Sequence, residues 1–484
     1  MTALHELTAL DQWHLMRSGE LTPGELVAHY LERIDRLNAQ LGALTVVAAD
    51  RAREAAEKLP DTVSTAAPLW GLPVADKELT ARVGQRTTYG SRLFADNVPI
   101  ESDELARHLD AAGAISLGAS AAPEFGLPSY TESRVAPPAR TPYALDRGAG
   151  GSSGGAAAAV AGGLVPFAPG SDGGGSIRIP AAACGIVGLK PSRGRVPASS
   201  GLASLAGLVV AGPLARTVAD AALLLDALVS ATPWPFATRA AGPEDAGPFL
   251  AHAVRGEGRF QVGVLTDSPW QLDYELTIAP EAQHALDRAI GHLDAMGHGV
   301  DAIDLGPSDD WAGYPEAFRA VWMASAASIP AETDAELALL EPLTAWLVAR
   351  GRELPARRLA AALVWLSGFE RRLIERFSSV DVVITPALAL TPRPIGWYDA
   401  EDAEHNFAQQ VQYTPWTSMI NVAGLPAITI PMGVSRESDG ELSDRPGMPM
   451  GVQLIGRPGG EATLLALAAQ LERRARLPHT PVLE

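Results

Sequence analysis

The middle of this chain is dense in glycine and serine over residues 148–195, and this block limits what the surrounding structure can be. It contains two loop-like runs, Gly150-Gly-Ser-Ser-Gly-Gly155 and Gly170-Ser-Asp-Gly-Gly-Gly-Ser-Ile-Arg178. Glycine allows backbone N–H groups to approach a ligand closely and to adopt positive φ angles. Three glycines directly before Ser176 can therefore direct consecutive N–H groups at one oxyanion beside the serine hydroxyl. The block predicts a site for developing negative charge next to Ser176.

Lysine is nearly absent from the chain. Of the 38 lysines and arginines, only Lys58, Lys77 and Lys190 are lysines. A buried lysine can lose its proton near neutral pH, whereas arginine cannot. Lys58 lies in an exposed-looking helical stretch, and Lys190 is expected to hold a loop or to pair with a carboxylate. Lys77 follows the apolar run Trp70-Gly-Leu-Pro-Val-Ala-Asp, which makes it the lysine of most chemical interest.

A serine nucleophile needs a base. None of the ten histidines lies near the glycine loops in the sequence. A distant histidine, a second serine and a scarce lysine therefore all stay open as partners of Ser176.

Charge and cysteine content exclude several classes of protein. The net charge of −18 argues against a nucleic-acid partner, because phosphate binding needs clustered lysine and arginine. The single cysteine, Cys184, excludes a disulfide framework and a zinc–thiolate cluster, and its apolar surroundings predict a buried hydrophobic side chain. No signal peptide and no membrane-spanning run is evident, which predicts a soluble cytoplasmic protein with no membrane partner.

Predicted strands and helices alternate along the chain, which favours a layered α/β fold with a mostly parallel or mixed sheet in one interlocked domain. The stretch 229–259 is expected to be the loosest. Helices are predicted at 22–58, 102–112, 156–161, 215–228, 280–296 and 461–476, and residues 311–378 are predicted to be mostly helical. Residues 68–76 are predicted to form a turn and a short strand that leads to Lys77. Further strands are predicted at 114–117, 260–266, 299–304, 380–386, 425–431 and 449–456, and loops at 148–155 and 167–178.

Several segments together resemble the amidase signature family. They comprise residues 150–163, 170–181 and 184–196 of the glycine- and serine-rich region, with 71–77, 424–431 and 449–456 on either side. The resemblance extends over nearly the whole chain. It implies a central mixed β-sheet covered by helices on both faces of a single large domain. Within residues 1–484 it implies an N-terminal helical arm (1–60), a signature core (61–228), a variable helix-rich substrate region (229–380) and closing strands and helix (381–484).

The resemblance also implies a Ser–Ser–Lys triad. Ser176 matches the acylated nucleophile, Ser152 matches the bridging serine, and Lys77 matches the catalytic lysine. The family has a cis peptide bond before the bridging serine, here between Gly151 and Ser152. The implied oxyanion hole consists of the backbone N–H groups of Gly173, Gly174, Gly175 and Ser176, and the implied supporting residues are Gly151, Ser153, Asp172 and Arg178. We expect Asp172 and Arg178 to pair and to brace the loop.

The implied activity is hydrolysis of a carboxamide of a small molecule, with aryl amides and esters as further candidates, through a Ser176 acyl-enzyme. The resemblance implies no metal and no cofactor. It does imply a homodimer. One alternative is the glutaminase-like subunit of a tRNA-dependent amidotransferase, which usually carries Gln and Tyr where this chain has Ile179 and Arg193. The other is a catalytically retired binding protein on the same scaffold, against which the intact triad argues.

Some residues depart from the family pattern. Gly173 replaces the usual Thr or Ile, and Ala119 and Ala121 replace a Lys and an Asn that we expect near the site, where their loss would widen or dry the pocket. Substrate choice is expected to depend on residues 311–378 and 395–420. Their tryptophans predict an apolar or aromatic acyl pocket, although such residues more often pack in a core; they are Trp311, Trp322, Trp346, Trp365, Trp397 and Trp416.

One further motif matches but fails on context, and two others are absent. Gly150-Gly-Ser-Ser-Gly154 fits the nucleophile elbow of α/β-hydrolases, but the elbow needs a buried strand directly before it, and residues 143–149 are a poor strand. The glycine loops contain neither of the common phosphate-binding patterns.

Overall fold

The computed structural model describes residues 2–59, 67–196, 204–230, 248–435 and 447–475. Part of the stretch expected to be loosest, residues 231–247, lies outside these ranges. The helices are α1 Ala9–Ser18, α2 Pro23–Leu41, α3 Ala49–Lys58, α4 Glu104–Ala111, α5 Gly154–Ala161, α6 Arg178–Ala183, α7 Val218–Ser230, α8 Phe249–Arg255, α9 Pro280–Ala295, α10 Tyr314–Ala326, α11 Asp334–Leu337, α12 Pro342–Glu353, α13 Ala356–Phe377, α14 Ala403–Tyr413, α15 Ser418–Val422 and α16 Glu461–Ala475. The strands are β1 Leu44–Val47, β2 Pro73–Lys77, β3 Ile115–Ser120, β4 Phe167–Asp172, β5 Val187–Lys190, β6 Val210–Ala215, β7 Gln261–Val264, β8 Gly299–Ala302, β9 Val382–Pro386, β10 Ala427–Ser435 and β11 Met448–Gly456.

The N-terminal helix α2 begins where its sequence predicts. The Thr22 hydroxyl accepts a hydrogen bond from the N–H of Glu25, and Pro23 occupies the first turn, where its missing N–H costs nothing. The prediction of continuous helix over 22–58 is wrong in its middle. The helix ends at Gly42, whose φ of 59° is left-handed, and strand β1 follows before α3 begins.

The main sheet has eight strands in the order β4-β6-β5-β10-β11-β9-β7-β8. The pairs from β4 to β9 are antiparallel, and β9, β7 and β8 run parallel to one another. The sheet is therefore mixed, as the resemblance implies. The strand–helix–strand unit predicted over 260–304 is confirmed as β7, α9 and β8, and its parallel pairing adds two strands to this sheet.

Side chains on alternate residues of the central strands face two separate cores. On β9, Val382 and Ile384 enter one hydrophobic cluster and Val383 enters the other; on β11, Leu454 and Ile455 divide in the same way. Helices α7, α8, α9 and α16 contribute to the first cluster, and α10, α13 and α15 to the second. The predicted sheet covered by helices on both faces is thus confirmed. Among the described residues, no helix is long and apolar enough to cross a membrane.

A second, three-stranded sheet in the order β1-β3-β2 stands beside the edge strand β4. Strand β2 runs parallel to β3, with Lys77 opposite Ser120, and Lys77 is its last residue. The Lys77 ammonium nitrogen reaches the carbonyl oxygen of Ser171 on β4 at 3.3 Å. The junction of the two sheets therefore brings Lys77 to the glycine-rich block.

The prediction of a loop over the whole of 167–178 is wrong in its first half, because residues 167–172 form strand β4. This strand pairs with β6 along its full length, with Pro169 opposite Pro213. The strand is not evident from the sequence because it contains proline and glycine, which are both unfavourable in a hydrogen-bonded strand. The neighbouring strand supplies the pairing, and the glycine loop is reduced to residues 173–177.

Candidate active site

The Lys77 side chain is buried among neutral hydrogen-bonding groups. Its Nζ lies 2.8 Å from Ser152 Oγ, 3.0 Å from Ser171 Oγ and 3.3 Å from the Ser171 carbonyl oxygen. A charged ammonium can donate to all three oxygens. A neutral amine can donate to the two Ser171 oxygens and accept the proton of Ser152. The contacts therefore accommodate both protonation states.

Burial also changes the acidity of this group. Lys77 is 2% exposed. Burial lowers the pKa of Lys77 to about 7, although the negative charge of Asp172 opposes this shift. Because the ammonium is desolvated and its hydrogen-bond partners are uncharged, a large fraction of Lys77 is neutral at physiological pH.

The loop that carries Ser152 is held tightly. The Gly151–Ser152 peptide bond is cis. A side chain at Gly151 would meet the backbone of Tyr130 at 2.6 Å, so only glycine fits there. The Thr131 hydroxyl donates to the Gly150 carbonyl oxygen at 2.8 Å and accepts from the N–H of Gly154 at 3.2 Å. These contacts fix the backbone on both sides of Ser152.

Ser153 joins the two glycine loops. Its N–H donates to the Ser176 carbonyl oxygen at 3.2 Å, and its hydroxyl lies 3.4 Å from the Ser171 carbonyl oxygen. Ser176 is 8% exposed and borders two cavities, one of which Ser152 also lines. The structure thus brings Lys77, Ser152 and Ser176 to one place.

The carboxylate of Asp172 organises the loop before Ser176. It accepts from the N–H of Gly175 at 2.7 Å and from the N–H of Ile177 at 3.1 Å. The expected pairing with Arg178 is confirmed by two contacts of 2.9 Å, with both side chains buried. Burial alone would raise the pKa of Asp172, but the Arg178 guanidinium outweighs it and holds that pKa well below its usual range.

This geometry removes the N–H of Gly175 from the predicted oxyanion hole. Because the Gly175 N–H donates to Asp172, it is not directed at a substrate. Gly175 has a φ of +135°, and the carbonyl oxygen of the preceding Gly174 accepts from the Thr417 hydroxyl at 2.6 Å. The remaining candidates for the oxyanion hole are the N–H groups of Gly173, Gly174 and Ser176.

Sequence reasoning missed the residues that complete this ion pair. Arg178 also donates to Asn421 Oδ1 and Gln453 Oε1, each at 2.6 Å, and to the Thr417 carbonyl oxygen. Asn421 in turn donates to Asp172 at 2.9 Å. Asn421 stands in an apolar helical run, and a buried polar residue in such a run needs a partner. That signal could have identified it.

Two cavities meet at Ser176. The first, of about 60 Å³, is mainly apolar and contains Gly174 and Ser176 at one end. Its wall is formed by Leu127, Pro128, Ser129, Ile179, Trp270, Phe318, Trp322, Phe407, Gln410, Val411, Thr414 and Ser418. The second, of about 590 Å³, contains Ser152, Ser171, Gly173 and Ser176. Trp322 lines both. We call them the aromatic cavity and the large cavity.

The aromatic cavity agrees with part of the sequence prediction. Trp322, Phe318 and Phe407 come from the two segments that were expected to set substrate choice. Of the predicted tryptophans only Trp322 lines these cavities, whereas Trp311 and Trp416 are core residues. Phe318 and Trp322 are four residues apart on α10 and share a face, which the sequence could have indicated. Trp270 follows β7 in an irregular stretch and gave no signal.

Three other predictions concern residues near the site. Neither Ala119 nor Ala121 lines these two cavities; Ala119 is buried within β3 and Ala121 is buried just after it, so their small size does not widen the pocket. Cys184 is buried, and burial raises the pKa of its thiol to about 12. Lys190 donates to the Pro191 carbonyl oxygen at 2.8 Å, as expected for a loop-holding lysine. Among the described residues, no three metal-ligating side chains converge.

Comparisons with known proteins identify the family of this chain. A protein-family model described as Amidase matches residues 25–465. The Mycobacterium tuberculosis protein named amidase AmiB2 is 39% identical over 468 residues, which cover 96% of this chain and 95% of that protein. A glutamyl-tRNA(Gln) amidotransferase subunit from Roseiflexus is 31% identical, and the match covers 100% of both chains. The solved structure of 6-aminohexanoate cyclic dimer hydrolase with substrate has a TM-score of 0.85, 29% identity and 97% coverage of each chain. On the family match over most of its length, this chain belongs to the amidase signature family of hydrolases that act on C–N amide bonds.

Proposed function

We propose that this amidase hydrolyses the carboxamide of a small molecule through an acyl-enzyme on Ser176. The observation that carries the proposal is the contact of 2.8 Å between the buried Lys77 amine and Ser152 Oγ, beside the cavity that Ser176 lines. A base with a pKa near the working pH is the most effective proton acceptor. The pKa of about 7 for Lys77 meets that condition.

In the proposed reaction, neutral Lys77 accepts a proton from Ser152 while Ser152 accepts one from Ser176. The Ser176 oxygen attacks the carbonyl carbon, and the resulting oxyanion is stabilised by the N–H groups of Gly173, Gly174 and Ser176. The C–N bond then breaks as the proton returns through Ser152 to the leaving nitrogen. A water molecule, deprotonated by the same relay, attacks the acyl-enzyme and releases the carboxylic acid.

The two cavities suit the two halves of the substrate. Ser152 must reach the leaving nitrogen to deliver its proton, and Ser152 lines the large cavity but not the aromatic one. The amine side of the substrate therefore belongs in the large cavity. The acyl side belongs in the aromatic cavity, whose walls favour an apolar or aromatic group.

An independent hydrolase fits these residues better than an amidotransferase subunit. Ile179 contributes an apolar wall to the aromatic cavity, and this wall does not match the polar side chain of a glutamine substrate. Arg193 is bound to Glu370 at 3.0 Å and to the carbonyl oxygens of Asn421 and Val422, so it has a structural role. The buried contact between Lys77 and Ser152 argues against a retired binding protein.

The test is intact mass after incubation with a fluorophosphonate, which phosphonylates activated serines with loss of fluoride. We expect one adduct on the wild type, none on Ser176→Ala and a much slower reaction of Lys77→Ala. Purified enzyme should then hydrolyse para-nitroanilides of a graded series of acyl groups, and should hydrolyse glutamine poorly. No adduct on folded wild type would favour the binding-protein alternative. Glutamine hydrolysis that appears only with a partner subunit would favour the amidotransferase.

The homodimer and the cytoplasmic location implied by the sequence stay predictions. Light scattering on the purified protein tests the first, because it gives the molar mass in solution relative to 50.6 kDa for one chain.

A further inference from the structure

The wall of the aromatic cavity contains a hydroxyl group with an unusual set of partners. Ser418 is 6% exposed and lines this cavity with Trp270, Phe318 and Phe407. Trp270 Nε1 donates to Ser418 Oγ at 3.1 Å, and the hydroxyl of Tyr314 lies 2.8 Å from the same oxygen. Tyr314 is fully buried behind the wall and does not line the cavity.

The direction of these hydrogen bonds follows from counting protons. A serine hydroxyl has two lone pairs and one proton, and an indole N–H can only donate. Within the part of the chain that the structure describes, Ser418 is the sole hydrogen-bond partner found for the Tyr314 hydroxyl. If Ser418 donated to Tyr314, the phenol proton would be buried without an acceptor, which is unfavourable. Tyr314 therefore donates to Ser418.

The indole N–H of Trp270 and the hydroxyl of Tyr314 then occupy both lone pairs of the Ser418 oxygen. Only the hydroxyl proton of Ser418 is left to bond with a group in the cavity. The other polar side chains of the wall differ from it, and Thr414 is one of them, because its hydroxyl donates to the Gln410 carbonyl oxygen at 3.2 Å and so offers the cavity only an acceptor. Gln410 uses its amide at both ends, accepting from the Ser129 N–H and donating to Asn406 Oδ1, each at 2.8 Å. The Ser129 hydroxyl oxygen is itself closed off by surrounding atoms. Ser418 thus offers a donor, and no acceptor, to whatever fills the cavity.

We propose that Ser418 makes the aromatic cavity selective for an apolar acyl group that carries a hydrogen-bond acceptor, and against one that carries a donor at the same position. The inference rests on the proposed function, because it takes the aromatic cavity as the acyl site. The cavity of about 60 Å³ is several times the roughly 10–15 Å³ that one water requires, so it holds a compact group of several heavy atoms.

The aromatic surroundings keep this donor in place. The Trp270 ring meets those of Tyr314 and Phe318 edge-on, with centroids 5.2 and 5.5 Å apart. Such contacts fix the indole that holds Ser418. A hydrogen-bond acceptor on the substrate would pair with the Ser418 hydroxyl proton. An apolar group would leave that proton unpaired, and a donor on the substrate would place its own proton against it.

The experiment compares amides whose acyl rings carry an acceptor, a donor or neither. Phenylacetyl and the isomeric pyridylacetyl amides of para-nitroaniline have the same shape, but the pyridine nitrogen is an acceptor. The pyrrolylacetyl amide carries an N–H that only donates. For each enzyme the readout is kcat/KM for the acceptor or donor amide divided by kcat/KM for the phenyl amide. Comparing this ratio between wild type and variant cancels the intrinsic reactivity of each amide.

We expect one pyridyl isomer to be preferred by the wild type, and Ser418→Ala to lower that preference roughly tenfold, as for the loss of one buried hydrogen bond. Ser129→Ala, the same change in the same wall, should leave the ratio unchanged. In Tyr314→Phe one lone pair of Ser418 is freed, so the hydroxyl can also accept. This variant should gain activity towards the pyrrolyl amide relative to the phenyl amide.

The outcomes separate the two proposals. If none of these amides, nor any of the simpler acyl series, is hydrolysed, the proposed function fails. If phenylacetyl amides are hydrolysed but the pyridyl ratio is the same in wild type and Ser418→Ala, the inference about Ser418 is wrong. An unchanged pyrrolyl ratio in Tyr314→Phe would contradict the proton count even if the first result held.

Discussion

At the scale of single residues, the environment of Lys77 determines the pH at which its amine can act as a base. Its hydrogen-bond partners are the neutral oxygens of Ser152 and Ser171, so only the charge of Asp172 opposes loss of the proton from the buried ammonium. With a pKa of about 7 the amine gains its base function as the pH rises through 7. We expect kcat/KM for a neutral amide to increase about tenfold per pH unit below pH 7 and to level off above it.

The matched variant for this pH profile is Lys190→Met. Burial also lowers the pKa of Lys190 to about 7, and Lys190 has no contact with the triad in the described structure. The inflection should persist in Lys190→Met, whatever the absolute rate. It would contradict the assignment of Lys77 if the inflection vanished in that variant or lay near the ordinary lysine pKa.

The buried pair of Asp172 and Arg178 is expected to be critical for stability. In Asp172→Asn, the Arg178 guanidinium stays buried without its negative partner. One carboxylate oxygen that accepts hydrogen bonds from N–H groups is also replaced by an amide NH2, which can only donate. Breaking a buried pair in this way costs about 3–5 kcal/mol. We expect the free energy of unfolding in urea to fall by that amount and the fluorophosphonate reaction to slow with it.

The control is Asp110→Asn. Asp110 pairs with Arg82 at 2.7 Å but its side chain is 52% exposed, and Arg82 keeps its buried partner Asp76. This change should cost less than about 1 kcal/mol. Equal stabilities of the two variants would show that the Asp172 pair does not brace the loop.

At the scale of elements, the glycine loop between β4 and α6 is defined by contacts that each glycine makes. A side chain at Gly175 would lie 2.6 Å from both Thr417 Oγ1 and Ile179 Cδ1, at a φ of +135°. Gly174 is different, since its nearest neighbour would be Phe318 at 3.8 Å. The loop therefore tolerates one methyl group and not the other.

We expect Gly175→Ala to shift the loop and displace the adjacent Ser176 N–H. Loss of one oxyanion donor lowers the rate about a hundred- to a thousandfold, and kcat/KM should fall in that range. Gly174→Ala should retain wild-type thermal stability and lose far less activity. The idea would be refuted by a Gly175→Ala enzyme as active as Gly174→Ala.

At the scale of the whole molecule, the site is a junction of separately packed parts. Trp322 of α10 packs against two hydrophobic clusters and lines both cavities that meet at Ser176. Its ring stacks on Phe318 with centroids 5.5 Å apart. Trp322 is thus the wall between the proposed acyl and amine sides.

Removing this wall should change the size limit for the acyl group. We expect Trp322→Ala to raise kcat/KM for bulky acyl groups relative to acetyl by at least roughly tenfold, because the cavities merge. Trp365→Ala removes an equally large ring that packs on Phe369 and lines neither cavity, and should leave the size profile unchanged. The profile across a series of para-nitroanilides checks both, and identical profiles would contradict the role of Trp322.

Much of this protein is determined by local sequence. The cap at Thr22, the strand–helix–strand unit over 260–304 and the short strand that leads to Lys77 follow from local sequence patterns, and the long glycine and serine segments identify the family. The scarcity of lysine also marks Lys77. Each of these features can be recognised from residue types and their spacing along the chain, without knowledge of which distant segments pack together.

Other features exist only once distant segments pack. Strand β4 contains Pro169 and Gly170 and is not evident from the sequence, because it forms by pairing with β6, and the Gly175 N–H donates to Asp172 and not into the oxyanion hole. Trp270 and Ser418 are 148 positions apart and meet through one hydrogen bond. Hydrogen-bond partners and cavity walls depend on which side chains face each other across the sheet. Local sequence therefore determined the elements and the chemistry available, whereas tertiary packing decided which donors and which walls reach the substrate.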